Sequence, residues 1–314
     1  MDQRILILNS IKKSVDRQGY RLLCTDPELS YSFDLVLRMK EKILLIKIIP
    51  NVGLLTEEVS NALTALAKYT NAYPLVISLY NRNEKIEDGV VYTRHALPVV
   101  SPSTFISYIE NEEEPLVKAG PGGFYVNLDS EKLRKIREEK MLSLGDIANA
   151  VGTSRRAILM YEAGMSASVD TALKMEEFLD EEIMSRVSFL WKLEEENIAP
   201  AYKKMREFER LVNFEIQRKG FSIYPFKKSI MNFLMEDSES VFLGGIEEET
   251  MRINRRMEYM RKLSEMMERE SFIIVKSSKN KIVQKDIPII YYSELEEFQD
   301  KEEMKEVIRE RRII

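Results

Sequence analysis

Residues 143–164, SLGDIANAVGTSRRAILMYEAG, constrain this chain more tightly than any other stretch. Ser143 is a good N-cap residue directly before an apolar-periodic run, so its hydroxyl can accept from a free amide of a short helix over 144–149. Gly152 follows at a turn where positive φ is expected and a β-carbon would be costly. Thr153 and Ser154 then lead into a second helix over 155–163, with Ser154 as its cap. Leu144, Ile147, Val151, Ile158 and Tyr161 recur at helical spacing and pin both helices to a common core, and Ala148 is small where they must cross. Arg155, Arg156, Leu159 and Met160 are left facing outward. Two short helices and a tight turn, with two arginines opening the second helix, suit a DNA major groove, where guanidinium groups meet phosphates and guanine edges. The plainer alternative is a helical hairpin with solvated arginines. Two caps, a small residue and a turn glycine at compatible spacing favour DNA binding.

Over residues 131–179 the pattern resembles the DNA-binding domain of phage repressors, the lambda-repressor-like or XRE type. The shared features are a leading helix over 131–139, then Leu142-Ser143, Ile147-Ala148, Val151-Gly152, Ser154-Arg155, Ile158 and Tyr161-Glu162-Ala163-Gly164. A further helix fits 170–179, with Ala172, Leu173, Met175, Phe178 and Leu179 as its apolar face. The resemblance implies an all-α helix-turn-helix domain, bounded here at 126–195. It places Ser143, Thr153, Ser154, Arg155, Arg156, Leu159, Met160, Arg134 and Arg137 toward DNA. The scaffold is Leu144, Ile147, Ala148, Val151, Gly152, Ile158, Tyr161 and Glu162. It further implies an ion pair between Arg137 and Glu162, and a structural strut is favoured over a phosphate contact for Arg137. Gly145 departs from the family: many relatives carry a phosphate-clamping glutamine there, so that contact is expected to be missing.

The chain of 314 residues has room for two or three domains, and 44% hydrophobic residues supply their cores. One cysteine, Cys24, excludes an internal disulfide framework, and one histidine, His95, leaves no zinc constellation, so no metal or cofactor is expected. Cys24 reads as a core strand residue and His95 as a solvated turn residue. No apolar run reaches the length of a membrane span and no signal peptide is visible, so a soluble, cytoplasmic protein is expected. The net charge of −5 is unusual for a DNA binder, but it is unevenly spread. Residues 132–156 hold seven basic residues against three acidic, whereas 157–180 hold one against five. Nonspecific affinity, which follows the number of phosphates neutralised, should be modest.

The flanks carry an internal repeat. Ile11 to Tyr20 and Val212 to Phe221 both end an amphipathic helix in glycine followed by an aromatic. Residues 43–49, 74–79 and 97–101 are apolar strand candidates answered by 241–246, 272–276 and 287–291, and the helical stretch 56–69 is answered by 247–270. The shared order of helix, strands, helix, strand, strand points to a duplicated small α/β domain, at 1–110 and 196–314. The first copy resembles a Holliday-junction-resolvase-like, PD-(D/E)XK nuclease fold through Phe33-Asp34 and Leu45-Ile46-Lys47. A working site of that family needs carboxylates to hold a divalent metal. Here Leu45 stands at the glutamate position and the first helix has no acid between Gln3 and Val15, while Leu243-Gly244-Gly245 in the second copy has neither Glu nor Lys. Both copies therefore read as nuclease folds without nuclease chemistry.

Residues 111–125, with their acidic run and Gly-Pro-Gly-Gly, read as a linker, residues 180–195 as a charged helical continuation, and 301–312 as a mixed-charge helix. Methionines 257, 260, 266 and 267 line a long helix that faces a sheet or forms a dimer seam. The whole resembles archaeal regulators in which a phage-repressor-like domain lies between degenerate resolvase-like domains. That resemblance implies an α+β multidomain, non-enzymatic, sequence-specific regulator of transcription that binds double-stranded DNA as a homodimer. The alternatives are a metal-dependent nuclease and an antitoxin-like or architectural interaction module.

Overall fold

The computed structural model describes residues 2–25, 32–192, 205–226, 230–248, 253–276 and 287–312. The chain divides into two compact units, each assembled from several stretches: Met1–Gln18, Ile48–Leu55 and Leu75–Trp191 form the first, and Gly19–Lys47, Thr56–Pro74 and Lys192–Ile314 the second.

In the first unit, helix Gln3–Gln18 buries Ile7, Leu8, Ile11 and Val15, a stripe at 3.6-residue spacing. It packs on helix Pro102–Asn111, where Ser14 Oγ donates to Glu110 at 2.8 Å. Pro102 opens that helix where its missing amide costs nothing, and Ser101 caps it. Strand Tyr73–Ile77 pairs in parallel with Leu97–Val100 through Val76 and Ile77. Leu97–Val100 turns back on Val90–Arg94 through His95 and Ala96, both left-handed at φ 49° and 61°. His95 sits in the expected turn but is half-buried, its Nε2 3.2 Å from the Leu55 carbonyl.

The stretch read as a linker carries paired strands instead. Val117–Gly120 and Gly123–Leu128 form a hairpin about the Gly-Pro-Gly-Gly turn, and Val117–Gly120 also pairs in parallel with Val90–Arg94. Gly123–Leu128 further takes Ala167–Ser168 and Met184–Ser185 as antiparallel neighbours. The region expected to be all-α is thus a helical cluster closed by short strands. Its core joins Val126 and Leu128 of the hairpin to Leu133, Ile136, Ile147, Val151, Ile158, Met175, Leu179 and Ile183. On the last helix, Val169–Leu179, the buried face is Ala172, Met175 and Leu179, whereas Leu173 and Phe178, expected on it, are exposed. That helix ends at Asp180 (φ 51°), and Glu176 Oε1 accepts from the amides of Ile183 and Met184 at 2.7 and 2.8 Å. The helical continuation expected over 180–195 is therefore absent from its described part, 180–192, and 193–195 lie outside the described residues. Phe189 is buried edge-on against Tyr108 at 4.9 Å, and Trp191 donates to the Ala96 carbonyl at 3.3 Å.

In the second unit, Arg21–Cys24, Leu35–Met39 and Lys42–Ile48 form an antiparallel meander, followed by helix Glu57–Thr70 capped by Thr56. Cys24 lies half-buried in the first of these strands. The carboxy-terminal sheet has Ser222–Pro225, Phe233–Glu236 and Val241–Glu247 antiparallel, then Glu270–Val275 and Ile289–Tyr291 added in parallel. Helices Glu207–Arg218 and Ile253–Met267 occupy the places in the order that Gln3–Gln18 and Glu57–Thr70 hold at the amino-terminal end. Gly244 in the central strand has a specific cause: a β-carbon there would lie 2.1 Å from the ring of Phe233, its cross-strand partner. The methionines of helix Ile253–Met267 are buried against the unit's own sheet, so that row is not a free seam. No helix of the described residues is long and apolar enough to cross a membrane.

Helix Lys301–Glu310 carries more than solvated charge. Lys305 is 2% exposed and its ammonium donates to Asp237 at 2.8 Å, with Glu302 at 2.9 Å. Burial alone would raise the Asp237 carboxyl, but bonds from Lys305 and from the amides of Glu239 and Ser240 outweigh it and bring it down to about 2. A carboxylate depressed on folding stabilises above its unfolded pKa near 4, and the contribution fades as pH falls toward 2. Asp237→Asn should cost about 2 kcal/mol at pH 7, and denaturant melts should show its difference from wild type shrinking between pH 4 and pH 2. A difference that stays constant across that range would refute the assignment.

Candidate nucleic-acid interface

The helix-turn-helix is held by local chemistry at each joint. Helix Ser130–Glu139 is capped by Asp129, which accepts from Lys132 N at 2.9 Å. Helix Leu144–Val151 opens with a reciprocal capping box: Ser143 Oγ accepts from Asp146 N at 3.2 Å, and Asp146 accepts from Ser143 N at 2.7 Å. These bonds to Ser143, with the nearby charge of Arg155, hold the Asp146 carboxyl below its ordinary value. The residue types S-x-x-D carried this box in the sequence, and the acidic half of it went unread. Gly152 has φ 73°, as the turn requires. Ser154 caps helix Arg155–Glu162 by accepting from Ala157 N at 3.1 Å.

Ile147, Ala148, Val151, Ile158 and Tyr161 are buried, and Leu144 packs half-buried against the same core. Arg137 meets Glu162 in a two-pronged pair, Nε to Oε1 at 2.6 Å and Nη2 to Oε2 at 3.1 Å, with side chains 17% and 6% exposed. Glu162 is thereby the main cause that raises the Arg137 guanidinium above its ordinary value. This arrangement is a strut between the leading helix and the last turn of helix Arg155–Glu162.

The seven cations of residues 132–156 separate sharply. Lys132 donates to the Glu182 carbonyl at 2.7 Å, and Lys140 to the Leu179 carbonyl at 2.5 Å. Arg134 and Lys135 pair with Glu138 and Glu139 on their own helix at 3.1 and 3.7 Å, and Arg137 is taken by Glu162. Arg155 and Arg156 are exposed, and neither makes an ion pair with any described residue. Exposed Ser143 and Ser154, half-buried Thr153, and Leu159 and Met160 at 56% and 43% exposure complete the outward surface.

Arg155 has a second property that the sequence did not reveal. A β-carbon added to Gly145 would lie 2.9 Å from Arg155 Nε and 3.0 Å from Nη2. The guanidinium therefore rests on the first turn of the preceding helix, where a β-carbon at position 145 would make it move aside. A cation beside a helix N-terminus is electrostatically mismatched unless an anion joins it. Asp146 supplies part of that anionic charge.

The resolvase-like residues assemble differently. Asp34 and Lys47 come together, fully and nearly fully buried, with Oδ1 and Nζ 3.3 Å apart, and Leu45 is completely buried. In the carboxy-terminal sheet Asn232 holds the position of Asp34: Asn232 N donates to Gly244 O at 2.8 Å as Asp34 N does to Ile46 O. Arg256 donates to Asn232 and pairs with Glu247 at 2.6 Å, while Asn232 Nδ2 donates to Glu209 at 3.4 Å. Glu209 lies on helix Glu207–Arg218, far in sequence from residues 243–245. Among the described residues no cluster of three or more His, Cys, Asp or Glu side chains could hold a metal ion.

Two family profiles match the chain: the PD-(D/E)XK superfamily domain over residues 4–115 and the helix-turn-helix over 133–183. Curated relatives align along nearly its whole length. A protein of Methanococcoides burtonii is 32% identical over 98% of this chain and 97% of its own. One of Pyrococcus furiosus is 33% identical over 98% and 95%, and one of Natronomonas pharaonis 34% identical over 89% and 90%. Each is provisionally named an HTH-type transcriptional regulatory protein. No solved structure matches the chain.

Proposed function

The chain belongs to the family of HTH-type transcriptional regulatory proteins to which these archaeal relatives belong, and from that premise we propose that it reads a specific operator with helix Arg155–Glu162 in the major groove. The observation that carries this reading is the separation of cations: five are tied to the protein, and the two that open the second helix are not. Arg155, lying beside Gly145 in the first turn of Leu144–Val151, takes a phosphate together with that helix N-terminus. Arg156 projects onward as the base reader, flanked by Leu159 and Met160 for thymine methyl contacts. Ser143, Thr153 and Ser154 line the same edge as phosphate contacts. Arg134 joins them only by exchanging its exposed partner Glu138, and Arg137 acts through the strut.

The two flanking α/β regions are read as copies of one duplicated resolvase-like domain, bounded at 1–110 and 196–314. They serve as scaffold and assembly surface rather than as nucleases, because buried Leu45 stands where a metal-holding glutamate is needed and the one carboxylate left, Asp34, is buried against Lys47. A single such reading head covers few base pairs, so the protein acts as a homodimer on an inverted repeat, with half-sites about 34 Å apart. The same experiment tests both parts. Genomic fragments retained by the full chain are footprinted with magnesium present. The expected result is a two-fold symmetric footprint of half-sites about 10 base pairs apart, on intact DNA. A one-to-one complex on an asymmetric site would end the dimer reading. Metal-dependent cleavage that vanishes in Asp34→Ala would instead make the protein a nuclease.

A further inference from the structure

A cavity of about 450 Å³ in the second unit is lined by Arg21, Ser264, Glu265, Glu268, Arg269, Glu270 and Arg312. Its formal charge is balanced, but its ion pairing is not. Each of the three glutamates already has a guanidinium partner: Glu265 pairs with Arg261 at 2.6 Å and Glu268 with Arg38 at 2.5 Å. Glu270 has Arg309 at 3.3 Å and Arg312 at 3.8 Å. Arg261, Arg38 and Arg309 approach these carboxylates without lining the cavity themselves. Two lining cations, Arg21 and Arg269, make no ion pair with any described residue. Arg269 Nε is in addition buried with no acceptor among the described residues, a state that a protein normally avoids. Arg21 lies directly across the strand pair from Arg38, so two like charges face each other on neighbouring strands.

We propose that this cavity binds a small polyanion through Arg21 and Arg269, with Ser264 and Arg312 at its edge. Planar guanidinium groups recognise phosphate and carboxylate oxygens in pairs, and the volume lies within the usual range for small-molecule sites. The ligand class is a phosphorylated or polycarboxylate metabolite larger than a single phosphate ion. Arg21 belongs to the amino-terminal meander, and the remaining lining residues lie in the carboxy-terminal part, so the ligand would tie these two stretches of one unit together. Nothing in this proposal depends on the operator reading of Arg155 and Arg156.

The test is thermal melting and calorimetry of the full chain with pyrophosphate, citrate and ATP, each against sodium chloride of equal ionic strength. At least one polyanion should raise the melting temperature and bind one per chain. Arg21→Gln and Arg269→Gln should each weaken that binding at least tenfold while melting normally without ligand. Preference for ATP over pyrophosphate and citrate would identify a nucleotide, and the reverse a smaller anion. Should Arg269→Gln fail to fold, exposed Arg21→Gln alone decides the matter. Binding that is unchanged in Arg21→Gln, or no binding by any of the three above the salt control, would overturn the proposal. So would a loss of operator affinity in Arg21→Gln with no polyanion effect, which would assign these arginines to the DNA backbone.

Discussion

Arg137→Ala is expected to cost the full chain about 3–5 kcal/mol of stability in its helix-turn-helix region, because it strands a carboxylate that is 6% exposed. The pair itself is worth less than its rupture, since both charges were desolvated to make it. Glu162 is held through two oxygens at 2.6 and 3.1 Å, and losing both bonds frees the last turn of the helix that carries Arg155 and Arg156. Operator binding should fall with stability, and Arg137→Met combined with Glu162→Met should recover much of the lost stability by removing the orphaned charge. Denaturant titration and a double-mutant cycle measure both effects. Weakened binding with an unaltered melt would make Arg137 a phosphate contact and remove the strut.

The second large effect is the loss of readout in Arg155→Ala with Arg156→Ala. Both side chains are exposed and pair with nothing described, so the fold should tolerate their removal. Losing a two-pronged base contact costs about 1–3 kcal/mol, roughly five- to 150-fold in affinity. The single variants should differ in kind. Arg155→Ala should weaken all sequences alike and lower the salt slope by about 1, whereas Arg156→Ala should relax preference at one position of each half-site. Binding isotherms at several salt concentrations, on the selected operator and on scrambled duplex, separate the two. An undiminished preference in the double variant would mean that another surface reads the DNA.

The parts of this molecule that were legible beforehand are those governed by neighbours in sequence. Ser143, Ser154 and Gly152 act within one helical turn, so residue type and spacing were enough to place the caps, the turn and both helices. The apolar runs 74–77 and 241–246 were legible as strands for the same reason, each being continuous in sequence. What escaped depends on partners far along the chain. Residues 111–125 look like a glycine-rich connection until Val90–Arg94 pairs with Val117–Gly120, and Ala167–Ser168 and Met184–Ser185 with Gly123–Leu128. Leu173 and Phe178 fit a broad apolar stripe, but the hairpin and neighbouring helices cover only the Ala172, Met175 and Leu179 edge. Lys305 in a charged tail gave no sign of burial because its partner, Asp237, is 68 residues away. The rest of Arg155 on Gly145 joins two helices through a missing side chain, which periodicity cannot register.

The closure of the helix-turn-helix region has a consequence for its portability. Val187 N donates to the Pro115 carbonyl at 2.6 Å, and Arg186 reaches the Glu114 carbonyl at the same distance. The chain thus leaves this region beside the point where it came in, with everything from the hairpin to the last helix looped between two touching backbones. Such a segment is topologically a cassette. It can be lifted out and its ends rejoined by a few residues, or exchanged for another reading head, without rethreading what lies on either side. The one seam such an exchange has to keep is the strand Val117–Gly120, which pairs with Val90–Arg94 on the host side.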